Sequence, residues 1–205
     1  MSRVVRIAVI AFAVLAGAAT AWFTTRGSEP RVLAQATLLN APRPLPEFRL
    51  IDHAGRPFDR ERLRGRWHFL FFGFTHCPDV CPTTLATLAA VRGGLHDLPA
   101  SERPGVVLVS VDPARDTPEA LARYVPHFDP EFVGVTGEPA AIAALTRELG
   151  VAVVIGAPAA DGGYTVDHTA ALFLIDPDGA WTAVFGAPHA TDTIACDFRA
   201  IAAAR

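Results

Sequence analysis

Short, nearly continuous apolar runs alternate along this chain with segments whose apolar residues recur at helical spacing. Trp67 to Phe74 is almost entirely apolar and aromatic, as expected of a strand buried on both faces. Val106 to Val111 is a second such run and ends in Asp112-Pro113. Phe132 to Val135, Val151 to Ile155, Ala170 to Ile175 and Trp181 to Phe185 read as further strands. The last two flank Asp176-Pro-Asp-Gly179, a hairpin turn signal. Between the runs lie four helical patterns: Leu85, Leu88 and Leu95; Leu121, Val125 and Phe128; Ile142, Leu145 and Leu149; and Ile194, Phe198 and Ile201. The first ends near Gly93-Gly94, the third is stopped by Gly150, and the fourth starts near Thr191. Asp116-Thr117-Pro118-Glu119 opens the second with a capping side chain, a first-turn proline and an acid at the positive end of the dipole. Upstream, Phe48 and Leu50 alternate toward Asp52-His-Ala-Gly55 and Phe58 follows, so a short N-terminal hairpin is expected. Strands alternating with helices, then a terminal hairpin, predict an α/β sheet covered on both faces.

The first residues follow a different pattern. Ile7 to Phe23 carries no charge, and Arg3 and Arg6 precede it. Such a run is long enough to cross a bilayer, and the flanking arginines place the N-terminus in the cytoplasm and the rest outside. Residues 1–25 are therefore expected to be a single transmembrane helix, and Trp22 suits the membrane interface. A cleaved signal peptide is the other reading, because Ala19-Thr20-Ala21 is an A-x-A site. Residues 26–44, with Pro30, Pro42 and Pro44, read as a linker, and the compact domain is expected over 45–205. Either reading exports that domain.

Composition narrows the function. At 51% hydrophobic over 205 residues the chain can fill a core without disulfides. A net charge of −3 excludes nucleic acid as an evident partner. Every basic residue is arginine, which with abundant Ala, Pro and Gly indicates a GC-rich bacterial source. Three cysteines are too few for a disulfide scaffold. The one methionine is Met1, so a methionine-rich copper site is excluded.

Two of the cysteines lie in Gly73-Phe-Thr-His-Cys-Pro-Asp-Val-Cys-Pro82, where the buried strand meets a helix. Cys77 and Cys81 are one helical turn apart and share a face. A helix N-terminus is expected to lower both thiol pKa values. Thiolates select soft metals such as Cu(I), and the same spacing also permits a disulfide. Metal binding and redox chemistry are both open to this pair, as is a purely structural role. A third ligand is sought among the seven histidines. His53, His96, His127 and His189 sit in polar surroundings and read as solvated; His68 reads as a core side chain. His76 is nearest to the cysteines but points away if the strand continues. His168 lies where a loop leads into a strand and remains a candidate, with Asp167 beside it as a possible orienting group. Cys196, beside Ile194 and Phe198, reads as a buried thiol.

Three further motifs follow in order: Ser110-Val-Asp-Pro-Ala-Arg-Asp-Thr-Pro-Glu119, Val166-Asp-His-Thr169 and Asp176-Pro-Asp-Gly179. Together with the cysteine stretch they closely resemble the SCO/SenC family, from about Leu45 to the C-terminus. The resemblance implies a thioredoxin-like fold, here with an N-terminal hairpin extension. It implies one copper ion per domain, Cu(I) or Cu(II), held by Cys77, Cys81 and His168. Thioredoxin-like folds usually place a cis-proline where His168 and Thr169 stand. The family implies a metallochaperone that delivers copper to the CuA site of cytochrome c oxidase subunit II, or reduces its cysteines, during assembly. It also implies anchorage in the bacterial inner membrane, a domain facing the periplasm, and contact with other periplasmic copper chaperones or thiol reductants. A membrane-anchored thiol–disulfide oxidoreductase or a redox sensor using Cys77 and Cys81 is the competing reading. For the Asp112-Pro113 and Arg115-Asp116 region, only a structural or docking role is expected.

Overall fold

The computed structural model describes residues 33–157 and 163–205. The expected membrane anchor lies outside the described residues. Among the described residues, no helix is long and apolar enough to cross a membrane.

The fold is built outward from β4 (His68–Gly73), in which every residue is buried. It runs parallel to β5 (Gly105–Ser110) on one side and antiparallel to β9 (Leu172–Ile175) on the other. Beyond β5 lies parallel β6 (Val133–Thr136), and beyond β9 lies antiparallel β10 (Ala180–Phe185). Because side chains alternate across a strand, the aromatics of β4 reach both faces. The Phe69 ring meets Phe185 at 5.5 Å and Phe198 at 6.0 Å, while Phe72 meets Phe173 at 5.6 Å. Burying each such side chain contributes about 1.5–3 kcal/mol. This cross-strand aromatic packing fixes the register of the central strand and hence the position of its C-terminal end.

Among the described residues, four α-helices complete the α/β plan: α1 (Val80–Gly94), α2 (Pro118–Tyr124), α3 (Pro139–Glu148) and α4 (Thr191–Ala202). The capping motif of α2 forms as expected: Thr117 Oγ1 accepts from the Ala120 N–H at 3.3 Å, with Pro118 at the first position. Gly150 ends α3, and Gly179 turns between β9 and β10. Their φ angles of 70° and 79° favour glycine. The N-terminal hairpin is present as β2 (Leu50–Asp52) and β3 (Pro57–Phe58), which pairs through β2 with β6 at the sheet edge.

Two expectations need correction. From Ala36 onward the supposed linker is instead β1 (Ala36–Pro44), which extends the sheet to eight strands in the order β1-β10-β9-β4-β5-β6-β2-β3. β1 covers the edge of β10, and its prolines are tolerated because an edge strand needs hydrogen bonds on one side only. A distant carboxylate holds its start: Asp197 of α4 accepts from the backbone N–H groups of Ala34, Gln35 and Ala36 at 3.0, 2.8 and 2.8 Å. The second correction concerns the approach to β9. Val166–His168 forms a short strand of its own, β8, paired antiparallel with β7 (Val153–Ile155) in a separate two-stranded ribbon. The cis peptide bond at Ala187–Pro188 lies elsewhere in the chain.

Candidate metal centre

The carboxyl ends of parallel strands are where α/β sheets place their sites, and β4 and β5 end side by side here. From Gly73 the chain crosses through Phe74 to Asp79 before α1 begins. Cys77 lies on this crossing and is half-buried, and Cys81 lies in the first turn of α1 and is fully buried. The Cys81 N–H points at Cys77 Sγ at 3.4 Å. Gly73 makes room for this arrangement. A Cβ there would stand 2.9 Å from Phe71 Cε1, 3.0 Å from Cys81 Sγ and 3.1 Å from Leu108 Cδ1.

The crossing is held by a buried carboxylate from the neighbouring strand end. Asp116 accepts from the Thr75 N–H at 3.0 Å, Thr75 Oγ1 at 2.6 Å and Ser110 Oγ at 2.6 Å. These bonds satisfy a charge that is otherwise costly to bury. Four residues earlier, Asp112 accepts from the Tyr164 hydroxyl at 2.6 Å and pairs with Arg115. Arg115 also donates to the Tyr164 carbonyl at 3.2 Å and lies 3.8 Å over the Tyr164 ring. The loop after β5 thus grips the segment that leads into β8.

β8 delivers His168. Its ring meets the Phe71 and Phe74 rings edge-on, each at 5.9 Å. His168 Nε2 lies 3.3 Å from Cys81 Sγ across 87 residues of sequence. The potential donor atoms of Cys77, Cys81 and His168 all fall within 4.8 Å of one another, a group that could hold a metal ion. His168 Nδ1 stands 3.2 Å from the Thr169 carbonyl oxygen. A carbonyl only accepts, so Nδ1 carries the proton and Nε2 turns its lone pair toward the sulfurs. Burial pushes the His168 pKa down, against the Thr169 hydrogen bond and the charge of Asp167. The imidazole is therefore neutral at pH 7 and available as a ligand. Thr169, not Asp167, orients it; Asp167 is exposed.

Burial also overturns the expectation that the helix N-terminus would lower both thiols. Cys81 is pushed up, chiefly by desolvation and then by the nearby Cys77 and Asp116, against the Phe74 backbone. The dipole effect is modest, and loss of water outweighs it for a fully buried thiol.

The remaining candidates fall outside the cluster. His76 is exposed, with Nδ1 beside Thr75 Oγ1 at 3.0 Å. His96 and His127 are exposed and His68 is buried, as expected. His53 and His189 are not merely solvated. His53 Nδ1 accepts from the Gly134 N–H at 3.0 Å, and His189 Nε2 donates to the Ala170 carbonyl at 2.8 Å. Cys196 is exposed rather than buried. Two residues along a helix turn a side chain by about 200°, which carries Cys196 away from the face of Ile194 and Phe198. Asp112, Arg115 and Asp116 hold neighbouring segments, in line with the structural or docking role expected of that region, whereas their partners and the part played by Tyr164 escape sequence reasoning. The region's one signal is a pair of aspartates just after a buried strand, at the sheet end where sites form.

Comparison with known proteins agrees with this geometry. The SCO1/SenC family model matches residues 37–203. A Stutzerimonas stutzeri protein whose name carries the words copper-binding protein is 41% identical over 165 residues, 78% of this chain and 79% of its own length. ScoI from Bradyrhizobium japonicum, solved with copper bound, is 35% identical with a TM-score of 0.68, covering 77% of this chain and 98% of that one. Apo Sco1 from Thermus thermophilus is 37% identical with a TM-score of 0.71, covering 81% and 95%. The mixed α/β, thioredoxin-like fold expected above is the one these structures share. By sequence and by fold, the chain belongs to the SCO1/SenC family.

Proposed function

We propose that this chain is a copper carrier that loads the binuclear CuA centre of cytochrome c oxidase subunit II during assembly of the oxidase. The observation that carries the reading is the convergence of Cys77, Cys81 and His168 within 4.8 Å. Two sulfurs and one imidazole are a soft donor set that suits Cu(I), and the nitrogen also accommodates Cu(II). Copper is cargo here. Three ligands leave the ion open to an acceptor's thiolate, which can replace them stepwise without release of free metal. Residues 1–25 would hold the domain at the inner membrane, facing the periplasm where subunit II presents its CuA site.

Copper titration of the purified, reduced protein tests this. The unaltered chain should bind one copper ion. Cys77→Ser, Cys81→Ser and His168→Ala should each weaken binding by more than about a hundredfold, since outer partners alone are worth about 10–100-fold. Equal affinity in any of the three variants would overturn the site.

A second reading rests on the two free sulfurs lying within the same 4.8 Å. Cys77 and Cys81 could close a disulfide, passing two electrons and two protons to a disulfide on subunit II. His168→Ala separates the readings: copper binding should fail in that variant, while dithiol reduction of an acceptor disulfide should persist if reduction is the main task.

A further inference from the structure

Among the described residues, the outer edge of β7 in the ribbon that carries His168 has no strand partner, and its sequence differs from that of the other sheet edges. The main sheet ends at β1 and β3. β1 carries Pro42, Arg43 and Pro44 and a register shift between Leu38 and Arg43. β3 is two residues long, begins at Pro57 and is flanked by Arg56 and Asp59. Proline, charge, irregularity and brevity are the usual protections against strand addition. β7 has none beyond its shortness: Val151 to Ala157 contains no proline and no charge. Val154 and Ile155 are each 60% exposed.

The direction of the free groups follows from the pairing. Thr169 N–H donates to the Ala152 carbonyl at 3.0 Å, and Gly156 N–H donates to the Thr165 carbonyl at 2.8 Å. Bonded pairs alternate along an antiparallel ladder, so Val153 and Ile155 turn their N–H and C=O groups away from β8. Among the described residues no third strand joins this ribbon. Val153 lies directly opposite His168 in register. A segment paired along the outer edge of β7 would run about two strand spacings, ~10 Å, from the β8 backbone at His168, close enough for its side chains to approach the cluster.

We infer that the free edge of β7 docks the copper acceptor by strand addition: an extended segment of the acceptor pairs with Val153 and Ile155 and sets its ligands beside His168. The main-chain bonds supply affinity, and Val154 and Ile155 supply apolar contact on the two faces. This docking rests on the copper-delivery reading above.

The test uses the full chain loaded with Cu(I) and the CuA-bearing domain of cytochrome c oxidase subunit II. Ile155→Pro removes an outward N–H without breaking a bond to β8, and Val154→Lys charges the edge. Both variants should keep the copper affinity and melting temperature of the unaltered chain, while copper transfer slows about tenfold, the loss of roughly one good hydrogen bond. The Val153 and Ile155 amides should become protected from hydrogen exchange when the acceptor domain is added. Transfer by both variants at the unaltered rate, with those amides still exchanging, would overturn the docking edge and leave copper delivery intact. Protection that appears without acceptor and grows with protein concentration would show pairing between copies and overturn this occupant. Absence of transfer from the unaltered chain would sink the delivery reading, and this occupant with it.

Discussion

His68 and His168 are both held neutral by burial, but only one of them faces a site. His168 keeps Nε2 directed at two sulfurs. His68 packs into the start of β4 with Nδ1 at 3.1 Å from the Arg66 carbonyl, and is only 8% exposed. Desolvation first, and the Arg66 charge second, lower its pKa to about 4 from 6.5. The unfolded chain therefore binds a proton between those values that the folded chain refuses. The contribution of His68 is complete above pH 6.5 and is lost progressively as the pH falls toward 4, by roughly 3 kcal/mol in all. Denaturant unfolding at pH 7 and pH 4.5 should show a steeper loss in the unaltered protein than in His68→Gln. Equal slopes would show that His68 is not the group responsible. Asp116 illustrates the opposite solution at the same scale. It stays buried because three donors surround it, and the same bonds hold the cysteine crossing in place.

The elements that build the centre differ greatly in their own stability. α1 spans 15 residues and carries Cys81 on a buried face. β8 has three residues and would not persist alone. Its position depends on β7 and on the grip of Asp112 and Arg115 on Tyr164. Arg115→Ala removes the ion pair, the carbonyl bond and the ring contact together. Copper affinity should fall about tenfold, the scale of an orienting partner, and amide exchange should rise over 166–168. Tyr164→Phe, which loses the hydroxyl bond alone, should lie between Arg115→Ala and the unaltered chain. Unchanged exchange in Arg115→Ala would show that β8 is held by the ribbon alone. The two elements that the sequence pattern missed, β1 and β8, share a cause. Neither has a run of alternating residues long enough to stand out, and each is held by partners far along the chain.

For the whole molecule, the membrane anchor expected over residues 1–25 has a direct test. The full-length chain should remain with membranes through an alkaline carbonate wash, while a chain beginning at Leu33 should be released. Release of the full-length chain would favour the cleaved-signal reading of Ala19-Thr20-Ala21. Within the domain, apolar runs and helical spacing were sufficient for β4, β5, β6, β9, β10 and all four helices. The signal there is local: a buried strand is apolar on both faces, and a helix start needs a cap, a proline or an acid within one turn. Cys77 and Cys81 were equally legible because they lie four positions apart in one motif, although Cys77 precedes α1 and only Cys81 lies on the helix. What only the tertiary structure decided is nonlocal. It placed His168 against the Cys81 sulfur 87 residues away, raised the Cys81 thiol against its helix dipole, gave Asp197 to the start of β1, and, among the described residues, left β7 with β8 as its one strand partner. Each depends on which groups exclude water from which others, and that follows from packing between distant segments rather than from spacing along the chain.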